Sequence, residues 1–108
     1  MNITKEKIGE FLMLTLYGRV DTNNFNELEQ AIGQVFEAGE KNIVLNCRGL
    51  NYISSSGLRI FLTALKKVNA LHGTLHLCSM QPVIKEIFDI SGFSTIFQIF
   101  DSQEEALE

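Results

Sequence analysis

The stretch 41-KNIVLNCRGLNYISSSGLRIFLTALKKVNALHGTLHLC-78 decides the fold. Lys41 to Cys47 holds Ile-Val-Leu at its centre and reads as a short buried strand. Arg48, Gly49, Leu50, Asn51, Tyr52 and Ile53 read as a loop, which ends in the run Ser54-Ser55-Ser56-Gly57. Leu58, Phe61, Leu62, Leu65, Val68 and Leu71 then recur at helical spacing, predicting a long amphipathic helix. Lys66 and Lys67 lie near its end, where cations favour the helix dipole, and Gly73 closes it. Thr74 to Cys78 is a second buried strand. Two buried strands joined by a helix predict a parallel pair with a right-handed crossover.

The same reading extends in both directions. Ile3 to Ile8 is a half-exposed strand and Gly9-Glu10 a turn. Phe11 to Tyr17, with Phe11, Met13 and Leu16, is too apolar for one solvated face and suits a strand covered on both sides until Gly18 breaks it. Asp21, Thr22 and Asn23 are cap-type residues. They precede a helix with Phe25, Leu28, Ala31, Ile32, Val35 and Phe36 on one face, Glu27, Glu29 and Gln30 on the other, and Gly39 at its close. Downstream, Pro82 suits a helix start, and Ile84, Ile87 and Phe88 form that helix's face before Gly92. Ser94 to Phe100 reads as the last strand, and Asp101 or Ser102 caps a short helix through Leu107. The order β-β-α-β-α-β-α-β-α predicts an α/β domain over 1–108, its mixed, mostly parallel sheet opened by a β-hairpin.

Composition narrows the function. The chain has 108 residues with Lys+Arg 9, Asp+Glu 13 and a net charge of -4. That balance argues against sequence-independent nucleic-acid binding, which needs a basic footprint. Hydrophobic residues at 45% and charged residues at 20% suit a globular domain with a real core and argue against a disordered tail. Cys47 and Cys78 are too few for a disulfide scaffold, so a reducing cytoplasm is expected. No run approaches a membrane span, and Met-Asn-Ile-Thr-Lys-Glu-Lys at the start is charged, unlike a signal peptide.

In open α/β sheets ligands meet the loops at the carboxyl ends of the strands. Those loops are Gly18 to Asn24, Cys47 to Ser56 and Ser79 to Pro82, and they are expected to share one edge. The serine run enters a helix whose first turn offers unpaired N–H groups and partial positive charge. Two readings stand. One is an N-cap with spare hydroxyls. In the other a serine is phosphorylated, with its added charge partly balanced by the dipole. Gly57, lacking a side chain, is expected to leave backbone and hydroxyls open to a partner's approach.

Gly18-Arg19-Val20-Asp21, Ile43-Val44-Leu45-Asn46 and Tyr52-Ile53-Ser54-Ser55-Ser56-Gly57-Leu58-Arg59 together resemble a STAS domain. More narrowly, they resemble the free-standing bacterial anti-sigma factor antagonists, over nearly the whole chain. The resemblance implies a phosphorylatable Ser55, with Ser54 or Ser56 as alternatives in register. Ser54 replaces the family's usual Asp, Asn46 stands where an acidic residue is frequent, and Asp21 matches the acidic residue after the second strand. It further implies a partner switch. The unphosphorylated chain binds a serine kinase that doubles as an anti-sigma factor, phosphorylation of Ser55 releases it, and a PP2C-type phosphatase resets it. The implied partner surface comprises Asp21, Asn23, Tyr52, Ser54, Ser55, Ser56, Gly57, Arg59 and Met80. The chain is then substrate and surface rather than enzyme, with no cofactor and no metal.

Other residues admit simpler accounts. Arg59, four residues after Ser55, either reaches back toward a phosphate or is a solvated helix residue. Leu50, Tyr52, Ile53 and Met80 serve either as exposed anchors for a partner or as core, Ile53 being the most suited to burial. His72 and His76 flank Gly73 with no acidic or cysteine cluster, so ligand roles are not expected, and His76 is either packed or solvent-facing. Cys47 and Cys78, near strand ends that can adjoin, read as buried small hydrophobes. A serine hydrolase is disfavoured, because Ile53 stands where a nucleophile elbow needs Gly and His72 lies at the far end of the helix. Phosphate-loop and dinucleotide fingerprints are absent. Two other classes remain: a STAS accessory subunit docked constitutively on a lipid-transport ATPase, and a small-ligand sensor binding an anion or nucleotide at the β-α loops.

Overall fold

A hairpin turning at Gly9-Glu10 joins β1 (Asn2–Ile8) to β2 (Phe11–Val20), with Ile8 opposite Phe11 and Asn2 opposite Tyr17. In the computed structural model, which describes residues 1–108, there follow α1 (Phe25–Glu37), β3 (Asn42–Ile53), α2 (Ser55–Ala70), β4 (Thr74–Cys78), α3 (Pro82–Ile90), a 3-10 turn (Phe93–Thr95), β5 (Gln98–Phe100) and α4 (Gln103–Ala106). The five strands form one sheet in the order β1-β2-β3-β4-β5, with β1 antiparallel to β2 and the rest parallel. This is the expected mixed α/β architecture.

Alternation along the strands gives the sheet two different faces. Leu12, Leu14 and Leu16 of β2, Ile43, Leu45 and Cys47 of β3, and Leu75 and Leu77 of β4 face the main core. There they meet Leu28, Ile32 and Val35 of α1, Phe61, Ala64 and Val68 of α2, and Ile84 and Phe88 of α3. Met13, Val44 and Cys78 face the other way and are covered by Ala106 and Leu107 at the C-terminal end. The expectation that β2 is covered on both sides holds, because Leu12 to Leu16 are all buried. Burying one such large apolar side chain contributes about 1.5–3 kcal/mol.

Three boundaries differ from the sequence reading. Gly18 does not end β2. It takes φ +97 and the register with β3 slips beside it, so the strand passes through a bulge and continues to Val20. Only glycine adopts that conformation without strain, which is how a breaker comes to lie inside a strand. Arg48 to Ile53 is no loop. It extends β3, pairing Gly49 with Tyr17, Leu50 with Gly18, Tyr52 with Arg19 and Ile53 with Val20. The last strand is shorter than Ser94–Phe100. Phe93–Thr95 coils into a 3-10 turn, with Thr95 Oγ1 donating to Gly92 O at 2.8 Å and Ser94 Oγ donating to Asp89. Such local side-chain bonds compete with a strand. Aromatic packing reinforces them, since Phe97 lies 5.8 Å from both Phe88 and Phe93.

Candidate functional site

The carboxyl ends of β2, β3 and β4 lie along one edge, as parallel strands require. Two hydrogen bonds join the loops there. Ser54 N–H donates to Val20 O at 2.9 Å, and Gln81 Nε2 donates to Arg48 O at 3.0 Å.

Asp21 organises the loop after β2. Its Oδ1 accepts from Asn23 N–H at 2.9 Å and Asn24 N–H at 3.2 Å, and its Oδ2 accepts from Arg19 Nε at 3.2 Å. Asn24 returns the bond, its Oδ1 accepting from Asp21 N–H at 2.9 Å and its Nδ2 donating to Arg19 O at 2.9 Å. The backbone N–H of Asn23, with Arg19 and Asn24 N–H assisting, holds the Asp21 carboxyl below its ordinary value. Asn24 is the N-cap of α1 and makes no side-chain cap bond; the side-chain capping foreseen for Asp21, Thr22 and Asn23 is not made, and Asp21 instead ties the turn before the helix, its carbonyl accepting from Phe25 N–H at 3.0 Å. Arg19 also lies 4.6 Å above the ring of Tyr52, whose residue is exposed.

The serines divide the work. Ser54, in extended backbone, is the N-cap of α2, and its Oγ accepts from Gly57 N–H at 3.3 Å. A serine cap is worth about 1 kcal/mol. Ser55 opens the helix, is exposed, and its hydroxyl has no partner within the chain. Ser56 is half-buried. No acidic residue lies in the first turn of α2, so its N-terminal field is uncompensated.

Beside Ser55 is a recess of about 250 Å³, lined by Ser55, Leu58, Arg59, Leu62, Ser91 and Phe93. Ser91 and Phe93 come from the end of α3 and the turn after it, some 36 residues or more downstream. No pattern around Ser55 announces them; they arrive because α3 packs against the same core. Arg59 is exposed and makes no ion pair, the three present being Lys7–Glu40, Arg19–Asp21 and Lys85–Asp89.

Several expected site residues are placed differently. Gly57 is buried, and a Cβ there would come within 2.7 Å of Ile53 Cγ1 and 2.8 Å of Val20 Cγ1. Its missing side chain therefore brings α2 onto the ends of β2 and β3, rather than opening the surface. Of the four apolar residues read as anchors or core, Ile53 is buried as foreseen, Leu50 is also buried core, Met80 is half-buried against the core, and Tyr52 alone is exposed. Asn23 is exposed.

The remaining candidates belong to the scaffold. His76 is buried on the second face, its Nδ1 2.7 Å from Ala106 O, with the rings of Phe11 and Phe100 at 5.4 Å and 4.7 Å. His72, exposed with φ 58, follows the end of α2. Asn46, where an acidic residue was noted as frequent, is buried. Its Nδ2 donates to Gln103 Oε1 at 3.1 Å and its Oδ1 accepts from Arg48 N–H at 3.0 Å, tying α4 to β3. Cys47 and Cys78 are both buried, and burial pushes both thiols up. They lie on adjacent strands but on opposite faces of the sheet. No helix is long and apolar enough to cross a membrane.

Similarity to known proteins agrees with this architecture. The family model described as STAS domain matches residues 2–106. The protein named "Putative anti-sigma factor antagonist BtrV", from Bordetella bronchiseptica, is 39% identical over 106 residues, covering 98% of this chain and 91% of that protein. The crystal structure of an anti-sigma factor antagonist from Mycobacterium paratuberculosis superposes with TM-score 0.89 at 21% identity, covering 98% of this chain and 90% of the other. The Bacillus cell fate determinant SpoIIAA in its phosphorylated form gives TM-score 0.76 at 22% identity, covering 98% and 96%. A five-stranded mixed sheet with the serine-capped α2 at its carboxyl edge, matched by a family model along almost the entire sequence, makes this chain a member of the STAS domain family.

Proposed function

We propose that this chain is an anti-sigma factor antagonist that works as a phosphorylation-controlled partner switch in the cytoplasm. In its unphosphorylated state it binds a serine kinase that is also an anti-sigma factor, and it is released when the kinase transfers a phosphoryl group from ATP to Ser55 Oγ. A PP2C-type phosphatase hydrolyses the phosphoserine and restores binding. The observation that carries this reading is the division of labour at the head of α2. Ser54 spends its hydroxyl on the cap, whereas Ser55 is exposed with its hydroxyl free. The names of the relatives support the same role.

The partner surface in this reading is the exposed part of the edge: Asn23, Tyr52, Ser55 and Arg59, with Asp21 and Ser54 fixing the loops. Ser56 lies half-buried behind them, and Gly57 and Met80 contribute by packing. Phosphate adds about -1.5 to -2 charges and three acceptor oxygens in the middle of that surface. Packed against apolar or acidic groups of a partner, it costs desolvation and repulsion; ~3 kcal/mol lowers affinity more than a hundredfold.

Fragment mass spectrometry on the protein from its own cells tests the reading. One phosphate on Ser55, absent from the kinase-bound fraction, is the expected result. In binding titrations with the purified kinase, Ser55→Ala is expected to retain affinity and Ser55→Asp to lose it at least tenfold. Equal affinities of the two variants, or an unmodified Ser55 under all growth conditions, would refute the switch.

A further inference from the structure

Arg59 is the only charged residue lining the recess beside Ser55, and no carboxylate holds it. Residues four apart on a helix have Cβ atoms about 5–6 Å apart. Helical side chains lean toward the N-terminus, so a long side chain at position 59 naturally covers the turn that begins at position 55. Across the recess stands Ser91, the C-cap of α3, whose hydroxyl also has no partner within the chain. Leu58, Leu62 and Phe93 supply the apolar part of its lining.

We propose that Arg59 clamps the phosphate of Ser55 within the same molecule, with Ser91 donating a hydrogen bond from the opposite wall. The inference rests on the reading of Ser55 as the phosphoacceptor and adds a device for its regulation. A guanidinium presents a planar fork that matches two phosphate oxygens. The arrangement also has the favourable order, with the anion N-terminal and the cation one turn on. The clamped phosphate fills the recess that the unmodified chain leaves open.

The test places phosphoserine at position 55 during translation, so no kinase is needed, and titrates it by 31P NMR in the full chain. An opposite charge favours the dianion and lowers the phosphate pKa. The wild type is expected to titrate roughly 0.5 pH units or more below Arg59→Gln, with Arg59→Lys between them. Ser91→Ala is expected to move the titration the same way by less. The helix N-terminus acts equally on all variants, so the difference isolates the guanidinium. Arg59 is exposed and unpaired, so its replacement spares the fold; superimposable unfolding curves check this. Coincident titrations of wild type and Arg59→Gln overturn the clamp while leaving the partner switch standing. Conversely, an unmodified Ser55 in cells overturns the switch without altering this titration.

Discussion

A single missing methyl group fixes how α2 meets the sheet. The Cβ of an alanine at position 57 would lie under 3 Å from branched carbons of both Ile53 and Val20, which are themselves buried. Both neighbours are packed in the main core, so they or the helix must shift to admit it. Overpacking of this kind costs typically 1–3 kcal/mol, and the better helix propensity of alanine offsets up to about 1 kcal/mol. Gly57→Ala is therefore expected to destabilise by about 1–2 kcal/mol, read as a lower urea midpoint with unchanged m-value. An unchanged midpoint would mean that α2 does not sit on Val20 and Ile53. At this scale the serine run was half legible. A cap serine could be foreseen, but Ser54 and Ser55 could not be told apart as cap and free hydroxyl. That depends on which backbone enters the helix extended, and only the pairing of Ser54 N–H with Val20 O decides it.

At the scale of elements, β2 and β3 extend together past the end of β4. β4 stops at Cys78, opposite Asn46, whereas β2 and β3 continue to Val20 and Ile53. This extension carries Arg19, Tyr52 and the approach to Ser54, so it positions the site. Its composition, rich in Gly, Arg and Asn, resembles a turn, and β propensity depends on the neighbouring strand more than on the residue itself. Leu50 measures the difference, being fully buried in the main core. Leu50→Ala is expected to cost 2–5 kcal/mol, as core truncations do, whereas a surface-loop substitution stays within about 0.5 kcal/mol. Chemical denaturation distinguishes the two. The amphipathic helices, by contrast, were legible almost to their ends. Their period of apolar residues is a property of the chain, and Pro82 at the first position of α3 and the cap Ser102 carry their chemistry locally.

Across the whole molecule, the two faces of the sheet separate groups that sequence leaves side by side. Cys78 is paired in register with Asn46, so Cys47, one residue on, points to the opposite face. Neither thiol is expected to react with an aromatic disulfide reagent until the protein unfolds, and mild oxidation is expected to leave both free. Labelling at a rate independent of denaturant, or an intramolecular disulfide recovered by mass spectrometry, would contradict this placement.

The sequence by itself determined the order of elements, the hairpin, the parallel βα units and the edge at which the loops of the candidate site gather. Each of these follows from local periodicity, from breakers and caps, and from the geometric need for crossovers between parallel strands. Only the tertiary structure decided the reach of β2 and β3, the inward turn of Gly57, and the meeting of Ser91 and Phe93 with Ser55 and Arg59. These depend on which distant surfaces pack together. Packing is governed by the shape and burial of residues far apart in the chain, and no local pattern encodes it.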